Sequence, residues 1–176
     1  GGRRTVHGQA DERSPRLSVV VPCFNESAIV RASFATLDRF LSDLGMPFEV
    51  VWVDDGSVDG TRAVLDDLAA AGGRHRVVHY SPNIGKGGAL KAGFGAARGE
   101  WLGFCDADLA IDLGVLRRLL QMLESGHDGA IASKWHPDAD LPYPWWRRVL
   151  SRMNELVGSL MFRLPYHDLQ CGMKLF

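Results

Sequence analysis

The chain has 176 residues, 46% of them hydrophobic, with 20 Lys and Arg against 21 Asp and Glu. That length suits one domain with a sizeable core, and a net charge of -1 provides no broad positive field to attract nucleic acid. Cys23, Cys105 and Cys171 stand outside any Cys-x-x-Cys or Cys/His cluster, which argues against zinc and a disulfide framework and for a reducing, cytosolic compartment.

The opening stretch, residues 1–16, has no apolar h-region and does not read as a signal peptide. It is expected to be a flexible arm preceding a single domain over residues 17–176. "LSVVVP" is a β-branched run ended by Pro22, a buried strand by pattern. Residues 26–45 carry apolar side chains at helical spacing, and Gly45 stops the helix. "FEVVWV" is the next buried strand, and residues 59–73 form a helix with a double-glycine stop. "RVVHY" is a short strand; residues 85–99 read as a glycine-rich turn into a helix. "EWLGFC", "LGVLRRLLQMLESG" and "DGAIAS" continue as strand, helix and strand. Strands alternating with helices imply an α/β fold: a mainly parallel sheet with helices on both faces. "CGMKLF" reads as a strand that should be followed by more structure, so the chain is expected to be a fragment of a longer protein. No apolar run reaches the roughly 18 residues of a spanning helix.

In open α/β sheets, ligands bind beyond the carboxyl ends of the strands. Three polar clusters fall there: "CFNES", "DDGSVDG" and "DADLA". Each alone also reads as a turn with a helix cap. Together they would repel unless a cation or a donor-rich ligand offsets them. Oxygen ligands spaced Asp-x-Asp suit Mg2+ or Mn2+, with phosphate and water oxygens completing the shell. "NIGKGGAL" adds glycine backbone, Lys86 and a helix start suited to phosphate. It is neither a P-loop nor G-x-G-x-x-G, since Tyr80, Gly87 and Leu90 occupy the positions those patterns need filled otherwise. A tight strand-to-helix turn with a solvated Lys86 is the alternative.

Taken in order, "SVVVPCFNE", "VVWVDDGSVDGT", "NIGKGGAL", "CDADL" and "HDLQCGMKLF" resemble the inverting family-2 glycosyltransferases of GT-A (Rossmann-like) fold. Within that family the polyprenyl-phosphate sugar transferases, and the dolichyl-phosphate glucosyltransferase type, are the nearest resemblance. The resemblance runs from Leu17 to Phe176. It implies a nucleotide-sugar donor with UDP and glucose favoured, a divalent metal, a polyprenyl or dolichyl phosphate acceptor, and work at the cytoplasmic face of a membrane. Pro22, Phe24 and Glu26 match the segment that holds the donor's base and ribose, with Phe24 where tyrosine is common. Val53 and Asp55 match the base-contacting strand end. Asp106, Ala107 and Asp108 match the Asp-x-Asp element, both carboxylates near the metal and the diphosphate. Lys134 stands where arginine is usual, keeping the charge without the bidentate fork. Asp168 and Gln170 match the acceptor-side motif. A soluble nucleotide-sugar-binding module, or a transferase acting on a polysaccharide or protein, is the alternative reading.

Between Trp145 and Met161 the apolar residues gather on one side of a helical wheel, opposite Arg147, Arg148 and Arg152. That pattern fits an interfacial helix on an anionic bilayer as well as a helix packed on the core. The six histidines are scattered and read as surface or structural.

Overall fold

The computed structural model describes residues 14–70, 73–132 and 173–176. Among the described residues there are ten elements: β1 (Leu17–Cys23), α1 (Val30–Ser42), β2 (Phe48–Asp55), α2 (Thr61–Ala70), β3 (His75–Tyr80), α3 (Gly85–Ala96), β4 (Trp101–Cys105), α4 (Leu113–Glu124), β5 (Ala130–Ile131) and β6 (Met173–Leu175). They build one six-stranded sheet in the order β3-β2-β1-β4-β6-β5. The first four strands in that order are parallel; β6 runs antiparallel to both β4 and β5. A mainly parallel α/β sheet is therefore present, as the alternation of strands and helices requires.

The strands alternate between two apolar layers, as the two-residue period of a strand demands. Val19, Val21, Val50 and Trp52 belong to the core shared with buried residues of α1, α2 and α4. Val20, Val51, Val53 and Phe104 face the other way and meet Ala89 of α3. Close approach on that second face depends on Gly93, where an added Cβ would press on Val20 and come 2.9 Å from Val53. Both faces of the sheet are thus covered, which is why β1 and β2 are almost continuously buried.

Three boundaries differ from the expectation, each for a tertiary reason. β1 runs through Pro22 to Cys23. Pairing with β4 ends at Val20, so Pro22 needs a ladder on one side only and its missing N–H costs little. β2 extends two residues, because Asp54 and Asp55 pair with His79 and Tyr80. The first helix begins at Val30 rather than Glu26, because the segment before it is bonded to the loop after β2. Arg16, at the end of the expected arm, is fastened to the sheet: its N–H donates to Pro47 (2.8 Å) and its carbonyl accepts from Trp101 (2.8 Å).

Far from the cleft described below, Phe34, Trp52 and His75 form a stack, with 3.9 Å between the Phe34 and His75 centroids. Trp52 Nε1–H donates to His75 Nδ1 (3.1 Å), which assigns the imidazole hydrogen to Nε2, donating to Asp38 (2.9 Å). Burial lowers the His75 pKa, against the opposing pull of Asp38. The unfolded chain, titrating near 6.5, therefore takes up this proton first as pH falls. The contribution of His75 is full above about pH 6.5 and is lost as pH drops through the lowered folded value, at up to about 1.4 kcal/mol per pH unit. Denaturant midpoints measured from pH 7.5 to 5.5 should fall more steeply for the parent than for His75→Gln; parallel curves would refute this.

Candidate active site

The loops after β1 and β2 are stitched together by backbone N–H groups that donate to side-chain oxygens of the facing loop. Asn25 N–H donates to Ser57 Oγ (3.0 Å), and the Asn25 side-chain oxygen accepts from Val58 N–H (2.9 Å). Glu26 N–H donates to Thr61 Oγ1 (2.8 Å) and Ser27 N–H to Asp59 (3.0 Å). Asp59 also accepts from the N–H (3.0 Å) and hydroxyl (2.6 Å) of Thr61, at the start of α2. Its hydrogen bonds, Thr61 foremost, hold its carboxyl well below the usual range. Asn25 adopts a positive φ of 57° to enter this arrangement. Ser57 and Asp59 fall in the "DDGSVDG" cluster that also reads as a turn with a helix cap, whereas Thr61 was not singled out; only the Asp-x-Thr spacing before a helix hints at it.

Asp55 does not cap a helix. Its buried carboxylate accepts from Ile84 N–H (2.9 Å), and its carbonyl accepts from the Asn83 side chain (2.9 Å). It thus docks the approach to α3 against the end of β2. Gly56 makes this possible. It has a φ of +72°, and an added Cβ would lie 2.9 Å from Asn83 N. The buried Tyr80 hydroxyl finds no well-formed hydrogen bond among the described residues. Burial first, and Asp55 beside it second, push its pKa up.

The Asp106-Ala107-Asp108 turn follows β4. Ala107 is 4% exposed and packs in the main core. The flanking carboxylates are left facing outward. Asp112, not either of these, caps α4 by accepting from Gly114 N–H. Among the described residues, Asp108 accepts only a local bond, from Ala110 N–H (3.0 Å). The turn is strained: Leu109 has φ 48°, a conformation that a bulky residue rarely adopts and that recurs at functional sites.

These pieces meet in a cleft of about 230 Å³ lined by Pro22, Cys23, Phe24, Glu26, Asp55, Lys86, Asp106, Ala107 and Asp108. Phe24 is 47% exposed at its rim. Lys86 reaches from the first turn of α3 to form an ion pair with Asp106, its ammonium 5.5 Å from the Phe104 ring centroid. Burial first, then Asp108, then Asp59 raise the Glu26 pKa. Cys105, beneath the turn, is pushed up to about 12 by burial and then by Asp106 and Asp108. Burial, then Glu26, raises Cys23 as well. Both thiols stay protonated near neutrality, so neither offers a thiolate nucleophile.

Of the residues expected at the site, Pro22, Phe24, Glu26, Asp55, Lys86, Asp106, Ala107 and Asp108 are brought together. Val53 is the exception. Its side chain is fully buried facing α3, because it shares the inward strand face with Val51, and it does not line the cleft. Lys134, Asp168, Gln170 and the Trp145–Met161 segment lie outside the described residues.

The chemistry of the donor set fits a hard divalent cation in part. Among the described residues, no three metal-binding side chains are grouped to hold an ion by themselves. Asp106 and Asp108 offer two hard carboxylates on one open wall, so the remaining ligands would be oxygens from water and a bound phosphate. That is the usual habit of Mg2+. Among the described residues, no helix is long and apolar enough to cross a membrane.

Comparison with known proteins bears on this arrangement. The chain is 38% identical over 182 residues to glycosyltransferase AglD of Haloferax volcanii, covering 96% of this chain and 29% of that protein. It is 32% identical over 166 residues to polyprenol monophosphomannose synthase of Mycolicibacterium smegmatis, covering 92% of this chain and 61% of that one. It is 31% identical over 163 residues to undecaprenyl-phosphate 4-deoxy-4-formamido-L-arabinose transferase of Pseudomonas aeruginosa, covering 91% and 46%. The chain thus spans between 29% and 61% of these relatives' lengths. The fold matches mannosyltransferase PcManGT from Pyrobaculum calidifontis, solved with GDP-Man and Mn2+, at a TM-score of 0.56 and 25% identity over 73% of this chain and 38% of that one. The GT-A architecture is shared with S. aureus TarS, at a TM-score of 0.55 and 24% identity over 73% of this chain and 38% of that one. The family model for glycosyl transferase family 2 matches residues 18–176, and the chain belongs to that family.

Proposed function

We propose that this domain transfers a hexose, glucose favoured, from a nucleoside-diphosphate sugar, UDP-sugar favoured, to a polyprenyl or dolichyl phosphate with inversion at the anomeric carbon. The observation that carries the reading is the convergence of Glu26, Asp106, Asp108 and Lys86 on one cleft at the carboxyl edge of the sheet. Anionic groups gathered beside a lysine and a helix start suit a diphosphate with a cation far better than an apolar ligand. Three relatives named above support the donor and acceptor classes. Two carry polyprenyl acceptors in their names, and PcManGT was solved with a nucleotide sugar and Mn2+.

Each residue has a physical task in this reading. Phe24 offers a half-exposed ring on which a nucleobase can stack, and Asp55 lies deeper as an acceptor for the base or ribose. Asp106 and Asp108 hold Mg2+ or Mn2+, which when bound supplies Lewis-acid stabilisation of the departing diphosphate. Lys86 adds a mobile positive charge at the same place, and Lys134 is assigned a similar task. The acceptor phosphate monoester is largely dianionic near neutrality, with a second pKa of about 6. It requires positioning and loss of water more than a strong base, and among the described residues no histidine lines the cleft. Asp168 and Gln170 are assigned to the acceptor side. The Trp145–Met161 segment, with its three arginines, is assigned to the cytoplasmic membrane surface, where each is worth about 1 kcal/mol against anionic lipid.

Thermal shifts with a panel of nucleoside-diphosphate sugars, with and without Mn2+, test the donor. A UDP-hexose at a hundredfold excess over its dissociation constant should add about 2.7 kcal/mol of stability. Stabilisation by GDP-mannose alone would overturn the uracil assignment. Transfer of labelled hexose into a solvent-extractable polyprenyl phosphate product tests the acceptor; product that stays wholly water-soluble would overturn it.

A further inference from the structure

We infer that Lys86 is the resident counter-ion of this site: its ammonium holds the place beside Asp106 that a divalent cation would take, and a bound diphosphate draws it away. Metal binding then waits on nucleotide binding. This rests on the reading of the cleft as a nucleoside-diphosphate site.

Three observations lead to it. Lys86 and Asp106 come from separate elements, α3 and the turn after β4, and their charged atoms are in direct contact. Both side chains are about half exposed, so the pair is open to exchange and not locked into the core. The second observation is where Lys86 sits. It occupies the first turn of α3, the end of a helix that disfavours cations, and no acidic residue in that turn offsets it. A cation placed there is favourable only against an anion. Asp106 fills that role in this structure; a diphosphate at the same helix start would fill it better, with more charge and the α3 amides nearby. The third is the space for such a change. The next residue is Gly87, where an added Cβ would meet nothing within 4 Å, so backbone and anion can approach closely. The ammonium, above the Phe104 ring, needs only rotation of its four-carbon stem to leave Asp106.

The consequence is a coupling between two ligands. A divalent cation arriving alone must displace the ammonium from Asp106 and then remain beside it, like charge against like charge. A diphosphate arriving with the metal gives the ammonium a new partner and the metal further oxygen ligands. Each ligand therefore raises the affinity for the other by the same factor, as linkage requires. Without Lys86 the metal no longer has an ammonium to displace from Asp106, and the factor shrinks.

Calorimetry on the parent and on Lys86→Gln tests this, with Mn2+ alone, UDP alone in EDTA, and Mn2+ at saturating UDP. In Lys86→Gln the affinity for Mn2+ alone should rise roughly tenfold, the affinity for UDP alone should fall, and the coupling factor should drop at least about fivefold. Lys86→Met should behave alike, which separates charge from hydrogen bonding; circular dichroism confirms that both variants are folded. An unchanged Mn2+ affinity in folded variants, with the parent binding Mn2+ and UDP together, overturns the counter-ion role while leaving the nucleotide site standing. A parent that binds neither ligand overturns both.

Discussion

Replacing Asp108 with Asn is expected to reduce metal-dependent UDP binding by more than about a hundredfold without unfolding the domain. Loss of a supporting group beside a metal ligand already costs up to about 100-fold, and Asp108 is assigned as a ligand itself. The fold should not suffer. The side chain is exposed, and among the described residues it accepts one hydrogen bond, from Ala110 N–H, which the Asn carbonyl can also do. Removing the charge also relieves Glu26, whose carboxyl is raised partly by Asp108. The thermal midpoint should therefore be unchanged or slightly higher. Calorimetry with UDP and Mn2+ checks the claim; unchanged affinity in a folded variant would count decisively against a metal role for Asp108.

The second large effect belongs to Asp55, and it should appear in stability as well as binding. Asp55→Ala strips the acceptor from Ile84 N–H in a buried position. An orphaned buried donor costs about 1–3 kcal/mol, and the start of α3 loses its tie to β2. UDP affinity should fall both with Mn2+ and in EDTA, because Asp55 is assigned to the base or ribose and not to the metal. Asp55→Asn keeps an oxygen for Ile84 N–H and should recover most of the stability while leaving UDP binding weak. If the binding defect of Asp55→Ala disappears in EDTA, Asp55 belongs to the metal side. If Asp55→Asn binds UDP normally, its role is to position the Asn83–Gly85 approach alone.

Asp55 shows why a site can be located from sequence while its internal wiring cannot. The alternation of apolar strands and amphipathic helices is local information. It requires no knowledge of contacts and places "CFNE", "DDGS" and "DADL" at one edge of a parallel sheet. Whether Asp55, Asp106 or Asp108 were merely caps was not decidable at that level, since Asp caps helices well anywhere. The structure removes that duty from them. Asp59 serves at α2 and Asp112 at α4, so the cleft carboxylates are left for another purpose, apart from the bonds Asp55 and Asp108 make.

By itself the sequence determined the α/β class, the approximate position of the described elements, the burial of β1 and β2, and the residue types at the carboxyl edge. These follow from period and composition, which act over a few residues. The tertiary structure alone decided where β2 ends, since Asp54 and Asp55 count as strand only when β3 supplies partners. It decided that Val53 turns into the α3 face and away from the cleft. It decided that Asn25, Ser57, Asp59 and Thr61 bind two loops into one wall. And it brought Lys86 onto Asp106, 20 residues apart in the chain. Contacts of that kind depend on how strands are ordered and how closely helices approach them, and no local pattern encodes the distance between two loops.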